Sequence, residues 1–266
     1  MYKLITIDVD DTLLNDELRV TDATRNSLRE AMEHGVMVTL ATGRMFASAK
    51  QIAEQIHFNV PLITYQGSLV KNLLDGQVLY ERFVPAPITK LLYEYANKHQ
   101  LHLQGYYNDQ LIAVEDNERI KEYSRMAKVP YLIQPVSELV SKPMTKLLFF
   151  DEPEILDHHQ KELKGLIGDE VHITKSKPFF LEILHKEGTK GDAVRFLAHH
   201  FDCDLSQVIA IGDSWNDHEM LEVAGLGVAM ENAVDSLKQI ADYVTKSNNE
   251  DGIKHVIDKF VFGRSK

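Results

Sequence analysis

A β-strand pattern at the start of the chain stops abruptly at three acidic residues. The apolar segment 4–7 leads directly into Asp8, Asp10 and Asp11. Carboxylates that crowd at the end of a packed strand repel one another and lose hydration. They are tolerated where they surround a cation, and oxygen ligands suit a hard cation such as Mg²⁺. Because ligands of open α/β sheets bind just beyond the carboxyl ends of strands, the acids predict a metal and phosphate site. The simpler alternative is a solvated acidic turn.

Strand and helix patterns alternate along the first part of the chain. Strand-like runs at 36–41 and 60–64 follow the opening one, and amphipathic helix patterns separate them. Thr21 is suited to cap the first helix, and Gly35 is suited to end it. Strands joined by single helices predict βαβ units and a parallel sheet.

The same alternation returns near the end of the chain. A helix pattern at about 191–200 precedes strand-like runs at 208–211 and 225–229, which a further helix separates. The last helix pattern covers about 253–260. We therefore expect the parallel sheet to be built from both ends of the chain.

The middle of the chain contains hairpin patterns mixed with helices. One hairpin joins 101–106 to 111–115, and a second joins 171–174 to 179–184 through a Lys-Ser-Lys turn. Such a mixture predicts an α+β module with an antiparallel sheet.

Together these patterns place the chain in the α/β fold class. We expect a Rossmann-like parallel-sheet core domain formed by residues 1–83 and 188–266. An α+β cap domain, residues 84–187, is inserted in it. Two linkers, near 83–87 and 185–189, are predicted hinges for closure of the cap.

Composition excludes several classes of function. A net charge of −11 over 266 residues argues against a nucleic-acid or membrane-surface binder, since both partners attract positive charge. The single cysteine, Cys203, cannot form an internal disulfide, and no apolar run is long enough to cross a bilayer. Because a strand pattern begins almost at once, we expect no signal peptide and a cytoplasmic location. No obligate protein partner is evident.

Three further polar segments follow predicted core strands or begin a helix. Thr42-Gly43-Arg44 places a hydroxyl and a backbone N–H at a strand-to-helix turn, which suits an anion. Lys190 begins a helix, and the segment 212–217 carries two acids and an amide on one loop. Each segment alone is explained as well by loop punctuation or helix capping. Together with the opening acids they form a complete set for phosphoryl transfer.

The four segments resemble the motifs of the haloacid dehalogenase-like hydrolases. Those motifs are Asp-x-Asp-x-Thr, a strand-end Thr, a later Lys and Gly-Asp-x-x-x-Asp. The forms Ala-Thr-Gly-Arg, Lys-Gly and Gly-Asp-Ser-x-Asn-Asp are similar to those of the Cof-type phosphatases, in which a large α/β cap is inserted between the second and third motifs. The resemblance extends from Tyr2 to about Ile257.

The resemblance implies a role for each matched residue. Asp8 would take the phosphoryl group as an aspartyl-phosphate, and Asp10 would act first as general acid and then as general base. Mg²⁺ would be held by the Asp8 carboxylate, the Asp10 main-chain carbonyl and the Asp213 carboxylate, and Asp217 would support this set from behind. The remaining matched residues would bind the phosphoryl oxygens through side chains or N–H groups: Val9, Thr42, Gly43, Lys190 and Asn216.

Other positions concern the substrate rather than the reaction. Gln66-Gly67 stands where Cof-type members usually carry Asn-Gly, so substrate contacts there are expected to differ. Arg44 and Glu182 are candidates for polar contacts to the leaving group. For Glu182 the alternative is an ordinary outward-facing strand residue.

The histidine pairs His158-His159 and His199-His200 are expected on solvated helix faces, because neighbours on a helix point in different directions and are poorly placed to share a metal.

The sequence therefore predicts a Mg²⁺-dependent phosphatase that hydrolyses small phosphorylated metabolites, either sugar phosphates or phosphorylated cofactors. Two alternatives remain open. One is a phosphomutase of the same superfamily, which returns the phosphoryl group to substrate. The other is a non-enzymatic aspartyl-phosphate relay or sensor, in which Asp10 and an inserted cap would have no use.

Overall fold

The computed structural model describes residues 1–56 and 60–264. In chain order its strands are β1 Leu4–Asp8, β2 Met37–Ala41, β3 Pro61–Thr64, β4 Leu69–Asn72, β5 Val78–Glu81, β6 Leu103–Tyr107, β7 Gln110–Ala113, β8 Tyr131–Ile133, β9 Lys146–Phe150, β10 Val171–Lys177, β11 Phe180–His185, β12 Val208–Gly212, β13 Leu226–Ala229 and β14 Tyr243–Val244. The α-helices are α1 Asp22–Glu33, α2 Phe46–Ala53, α3 Ala86–His99, α4 Glu118–Ala127, α5 Val136–Leu139, α6 Pro153–Ile167, α7 Lys190–His200, α8 His218–Val223, α9 Asp235–Ile240 and α10 Gly252–Val256.

An eight-stranded sheet joins the two ends of the chain. Its strand order is β14-β13-β12-β1-β2-β3-β4-β5. The pairs from β14 to β3 are parallel, while β4 and β5 add an antiparallel edge. Central β1 is buried along its whole length between β2 and β12, which explains its continuous apolar sequence. The predicted α/β class with a parallel-sheet core is confirmed.

Local sequence determines where the first helix begins and ends. The Thr21 hydroxyl accepts a hydrogen bond of 3.1 Å from the N–H of Thr24, so it caps α1 as predicted. Gly35 follows the helix with a φ of +83°, a conformation that glycine adopts without steric cost.

A six-stranded sheet is formed entirely by residues 103–185. In the sequence these residues lie between the two groups of strands that form the first sheet. Its strand order is β10-β11-β9-β6-β7-β8, and every pair is antiparallel except β7-β8, which is parallel. A separate cluster of apolar side chains from this part of the chain packs around α3, α6 and this sheet.

The predicted Lys-Ser-Lys turn of the second hairpin is wrong. Strand β10 continues through these residues to Lys177, with a bulge between Lys175 and Lys177. The chain reverses at Pro178 and Phe179 instead, because proline has no N–H to donate to a strand partner. As a result Lys177 lies at the tip of the hairpin and reaches Asp11.

One of the four paired histidines is not solvated as predicted. His158, His199 and His200 are exposed, but His159 is buried. It shares a face of α6 with Leu156 and Leu163, at helical spacing, and this face packs inward.

Among the described residues, no helix is both long and apolar enough to span a membrane.

Candidate active site

The carboxyl end of β1 places Asp8 in a buried position. Only 5% of the residue is exposed. The chain then makes a tight irregular turn over Val9–Leu13, in which Asp11 has a φ of 60°. This turn brings the hydroxyl of Thr12 to 2.7 Å from the carboxylate of Asp213, to which it donates a hydrogen bond. Sequence analysis assigned Thr12 no role, although it belongs to the first motif.

Lys190 connects the acids of the first and fourth motifs. Its side chain is fully buried at the start of α7, whose N-terminus is capped by Thr189. The ammonium donates to a carboxylate oxygen of Asp8 at 2.5 Å and to one of Asp217 at 2.6 Å. Burial alone would lower the pKa of Lys190, but the charges and hydrogen bonds of these acids raise it above its ordinary value. The side chain is therefore charged.

Asp217 organises the loop that follows β12. Its second carboxylate oxygen accepts hydrogen bonds of 3.0 Å from the N–H groups of Asp213 and Ser214. The preceding Gly212 is required here, because a Cβ at that position would lie 2.5 Å from the Asp217 side chain. Asp217 thus holds both the loop and Lys190 in place.

The carboxylates at this site are buried close together, and their mutual repulsion is only partly offset by Lys190. Burial raises the pKa of Asp8 well above its ordinary value; Lys190 opposes the shift, and Asp217 and Asp213 add to it. Burial, then the charge of Asp217, raises the pKa of Asp213 to about 7. Oxygens of Asp8, Asp213 and Asp217 lie within 4.8 Å of one another. An oxygen-only set with unneutralised charge fits a hard divalent cation.

The second motif follows β2 and forms another wall of the site. Thr42 is buried, and its hydroxyl accepts a hydrogen bond of 3.1 Å from the N–H of Arg44. A Cβ on Gly43 would lie 2.4 Å from the amide nitrogen of Gln66. Glycine at this position therefore lets the Gln66 side chain lie directly against the backbone of the motif.

Arg44 is paired with Asp10. Its guanidinium donates to both oxygens of that carboxylate, at distances of 2.8 and 2.6 Å. Burial alone would raise the pKa of Asp10, but the hydrogen bonds and charge of Arg44 outweigh it and lower the pKa. Asp10 is therefore ionised in this arrangement.

A chain of buried hydrogen bonds joins the second sheet to the fourth motif. Lys146 on β9 donates to Glu182 on β11 at 2.8 Å and to the carbonyl oxygen of Gly43 at 2.7 Å. The other carboxylate oxygen of Glu182 accepts from the amide of Gln66. The side-chain carbonyl of Gln66 in turn accepts a hydrogen bond of 2.8 Å from the side-chain amide of Asn216.

Glu182 is therefore not an outward-facing strand residue, since only 1% of it is exposed. Sequence analysis missed its partner Lys146. A charged residue inside the apolar segment Lys146–Phe150 was the available signal, because such a residue needs a partner when the strand is buried.

A cavity of about 380 Å³ opens above these groups. Besides Glu182, its lining includes seven of the other residues predicted from the sequence: Asp8, Asp10, Thr42, Gly43, Arg44, Asp213 and Asn216. In contrast, Val9, Lys190 and Asp217 are fully buried residues of the same segments.

The cavity also has an apolar side, which was not predicted from the sequence. This side is formed by side chains of α4, of the tip of the β10-β11 hairpin and of the fourth motif: Tyr123, Met126, Phe179, Phe180 and Trp215. Because these residues belong to distant segments, no local pattern indicates that they share one cavity.

Comparisons with known proteins show the family and the fold of this chain. The family model described as haloacid dehalogenase-like hydrolase matches residues 5–257. The chain is 35% identical over 266 residues to "Putative phosphatase M6_Spy0533" of Streptococcus pyogenes serotype M6, covering 97% of this chain and 98% of that protein. It is 31% identical over 263 residues to the 5-amino-6-(5-phospho-D-ribitylamino)uracil phosphatase YcsE of Bacillus subtilis, covering 97% and 96% of the two chains. The crystal structure of TM0651 from Thermotoga maritima superposes with a TM-score of 0.85 at 35% identity, covering 98% of each chain.

Proposed function

The chain belongs to the haloacid dehalogenase-like hydrolases and is a phosphatase, and we propose that it hydrolyses the monoesters of small phosphorylated metabolites with Mg²⁺ through an aspartyl-phosphate on Asp8. One observation supports this most directly. A buried carboxylate, Asp8, lies at the floor of a cavity with a charged Lys190 on one of its oxygens and further acids beside it. A nucleophile needs this arrangement if an anionic substrate is to approach it.

The domain organisation predicted from the sequence is part of this proposal. Residues 1–83 and 188–266 would form the core domain, and residues 84–187 would form the inserted cap. The cavity supports the division, because the acids on its floor belong to residues 1–83 and 188–266, and much of its apolar side belongs to residues 84–187. The core would then bind the phosphate and the cap the leaving group.

In the proposed reaction Asp8 attacks phosphorus through its free oxygen while Lys190 holds the other. Lys190 offsets the repulsion between this carboxylate and the phosphate. The hydroxyl of Thr42 and the amide of Asn216 would bind phosphoryl oxygens, together with the N–H groups of Val9 and Gly43. Asn216 is held for this by its hydrogen bond to Gln66. Each such donor is worth about 3–4 kcal/mol of transition-state stabilisation.

Asp10 would protonate the leaving oxygen and then accept a proton from the attacking water. This role requires a free oxygen on Asp10, but in the structure Arg44 donates hydrogen bonds to both of its oxygens. We infer that Arg44 releases at least one of them when substrate binds, and that it then contacts the leaving group.

Mg²⁺ would be held by the carboxylates of Asp8 and Asp213 and the main-chain carbonyl of Asp10, with Asp217 behind them. Once bound, it would neutralise charge on the transferring phosphoryl group. The raised pKa of Asp213 supports this assignment, because a carboxylate with that environment gains from a nearby cation.

The cavity supports a small substrate with a partly planar leaving group. Its size suits a sugar phosphate or a phosphorylated cofactor, and its apolar side carries the rings of Tyr123, Phe180 and Trp215. The Bacillus subtilis relative is named for a substrate that joins a phosphorylated ribityl chain to a uracil ring. Glu182 lines the same cavity but is saturated by its partners, so we propose that it acts on the substrate mainly by holding Gln66.

The proposal is tested by phosphate release from a panel of sugar phosphates and phosphorylated cofactors, with EDTA-treated protein before and after addition of Mg²⁺. We expect Asp8→Asn to abolish release. Asp11→Asn is the matched control, because this acid of the same motif is exposed and forms only a surface ion pair with Lys177; it should retain most activity. Activity that survives Asp8→Asn would exclude the aspartyl-phosphate route.

Product analysis separates the two alternatives. Hydrolysis in H₂¹⁸O places the label in free phosphate, whereas a phosphomutase yields an isomeric ester without free phosphate. An aspartyl-phosphate that persists for many minutes in the presence of Mg²⁺ would favour the relay.

A further inference from the structure

A cluster of nitrogen and oxygen ligands lies between two helices packed on the second sheet. His99 is the last residue of α3, and His159 and Glu162 lie three residues apart on α6, where they share one face. One ligand atom from each of the three residues lies within 4.8 Å of the others. None of these residues lines the active-site cavity, so the cluster is separate from the acids that begin the chain.

The distance between two ligands of the cluster matches that of ligands on one metal ion. The Nδ1 atom of His159 is 3.4 Å from a carboxylate oxygen of Glu162. Two ligands that are each about 2.0–2.1 Å from a tetrahedral Zn²⁺ ion lie roughly 3.3–3.4 Å apart. The ring of His99 approaches from the neighbouring helix, with its centroid 5.1 Å from that of His159.

Tyr95 occupies the remaining corner of the cluster. Its hydroxyl lies 2.6 Å from Nδ1 of His159 and 2.6 Å from Glu162, and its ring stacks on His99. The hydroxyl therefore joins the same atoms that a metal ion would join. A metal ion bound by His159 and Glu162 would therefore require the Tyr95 hydroxyl either to leave these atoms or to become a ligand itself.

We propose that His99, His159 and Glu162 form a second metal site, which binds a divalent transition metal such as Zn²⁺ and ties the end of α3 to α6. The ligand types distinguish it from the site at Asp8 and Asp213. Imidazole nitrogen suits zinc, cobalt, nickel and copper, whereas an oxygen-only set suits magnesium. Three protein ligands leave a fourth position for water or for Tyr95.

The test is a titration of the full-length protein with Co²⁺ in excess Mg²⁺, followed by visible absorption. Four-coordinate Co²⁺ with nitrogen ligands absorbs intensely, whereas six-coordinate Co²⁺ with oxygen ligands absorbs weakly, so binding at the two sites is distinguished. We expect one equivalent of the intense species. His99→Ala should weaken its binding at least tenfold, and the control His199→Ala, which changes an exposed histidine elsewhere, should not.

A second measurement tests whether Zn²⁺ stabilises the folded protein. Zn²⁺ should raise the melting temperature of the unaltered protein and of His199→Ala, but not of His99→Ala or Glu162→Gln. Phosphatase activity with Mg²⁺ should be the same in all four proteins. The proposal is overturned if no intense absorption develops, or if His99→Ala and Glu162→Gln bind Co²⁺ as tightly as the unaltered protein.

Discussion

The substitution Asp213→Asn should stabilise the metal-free protein while it removes activity. Asp213 is 9% exposed and accepts a hydrogen bond from the hydroxyl of Thr12. An asparagine has the same shape and keeps an oxygen that can accept this bond. It removes the buried charge that Asp8 and Asp217 repel.

The expected size of the effect follows from the pKa of Asp213, which is about 7 in the folded protein against an ordinary value of 3.8. Between these values the folded protein holds a proton that the unfolded chain has lost. The free energy of unfolding therefore falls as the pH rises, by about 1.4 kcal/mol per pH unit. Over about three units the loss is on the order of 4 kcal/mol. It is complete above pH 7 and absent below about pH 4.

The assay is urea unfolding in EDTA, followed by circular dichroism at several pH values. At pH 8 Asp213→Asn should be more stable than the unaltered protein by up to about 4 kcal/mol, and at pH 4 the two should agree. Mg²⁺ at 100 times its dissociation constant should narrow the difference, because it adds about 2.7 kcal/mol to the unaltered protein that binds it. The reasoning is refuted if the variant is no more stable at pH 8 in EDTA, or if the difference does not shrink toward pH 4.

Two further substitutions test other parts of the site, and a third is a control outside it. Arg44→Met removes the hydrogen bonds and charge that lower the pKa of Asp10, so the descending limb of kcat/KM for an alkyl phosphate should move to higher pH; an unchanged pH profile would contradict the pairing. Gly43→Ala places a Cβ 2.4 Å from the amide of Gln66 and should reduce kcat/KM about tenfold, measured by phosphate release. The comparison variant Gly165→Ala has no atom within 4 Å of the added Cβ on α6, so it should leave kcat/KM unchanged and raise the free energy of unfolding by about 0.5–1 kcal/mol.

The parallel sheet was predictable because its central strands are buried on both faces and therefore have continuous apolar sequences. Their apolar runs end at polar residues, and this pattern located β1, β2, β3, β12 and β13 within one or two residues. The strands that sequence analysis missed are short and partly exposed. They are β4 and β5, which have four residues each, β8, which has three, and β14, which has two. Their positions depend on pairing with neighbours rather than on local pattern.

The site was predictable only as far as each motif follows a strand or begins a helix. The strand ends determine that Asp8, Thr42 and Asp213 converge, because parallel strands end at one edge of the sheet. The pairing of Arg44 with Asp10 was not predictable, since it depends on side-chain directions after two separate turns. The apolar wall of the cavity was equally hidden, because α4 and the β10-β11 hairpin are brought to it only by the second sheet.

The hydrogen bonds between the two sheets affect how readily the cavity can open. Lys146 and Glu182 form a buried ion pair, but both belong to the second sheet, so the pair would stay intact if the sheets moved apart. Separation would break the bonds from Lys146 to Gly43 and from Gln66 to Glu182, together with the bonds of Tyr65 and the Ala47 N–H to Asp109 and the Lys177–Asp11 pair. Each such bond costs about 1 kcal/mol once water replaces the partner. Because such polar contacts lose little on hydration but require exact partners, they favour one closed arrangement of the cavity. In that arrangement Glu182 holds Gln66 and Gln66 holds Asn216, so residues of both sheets orient the phosphate-binding amide.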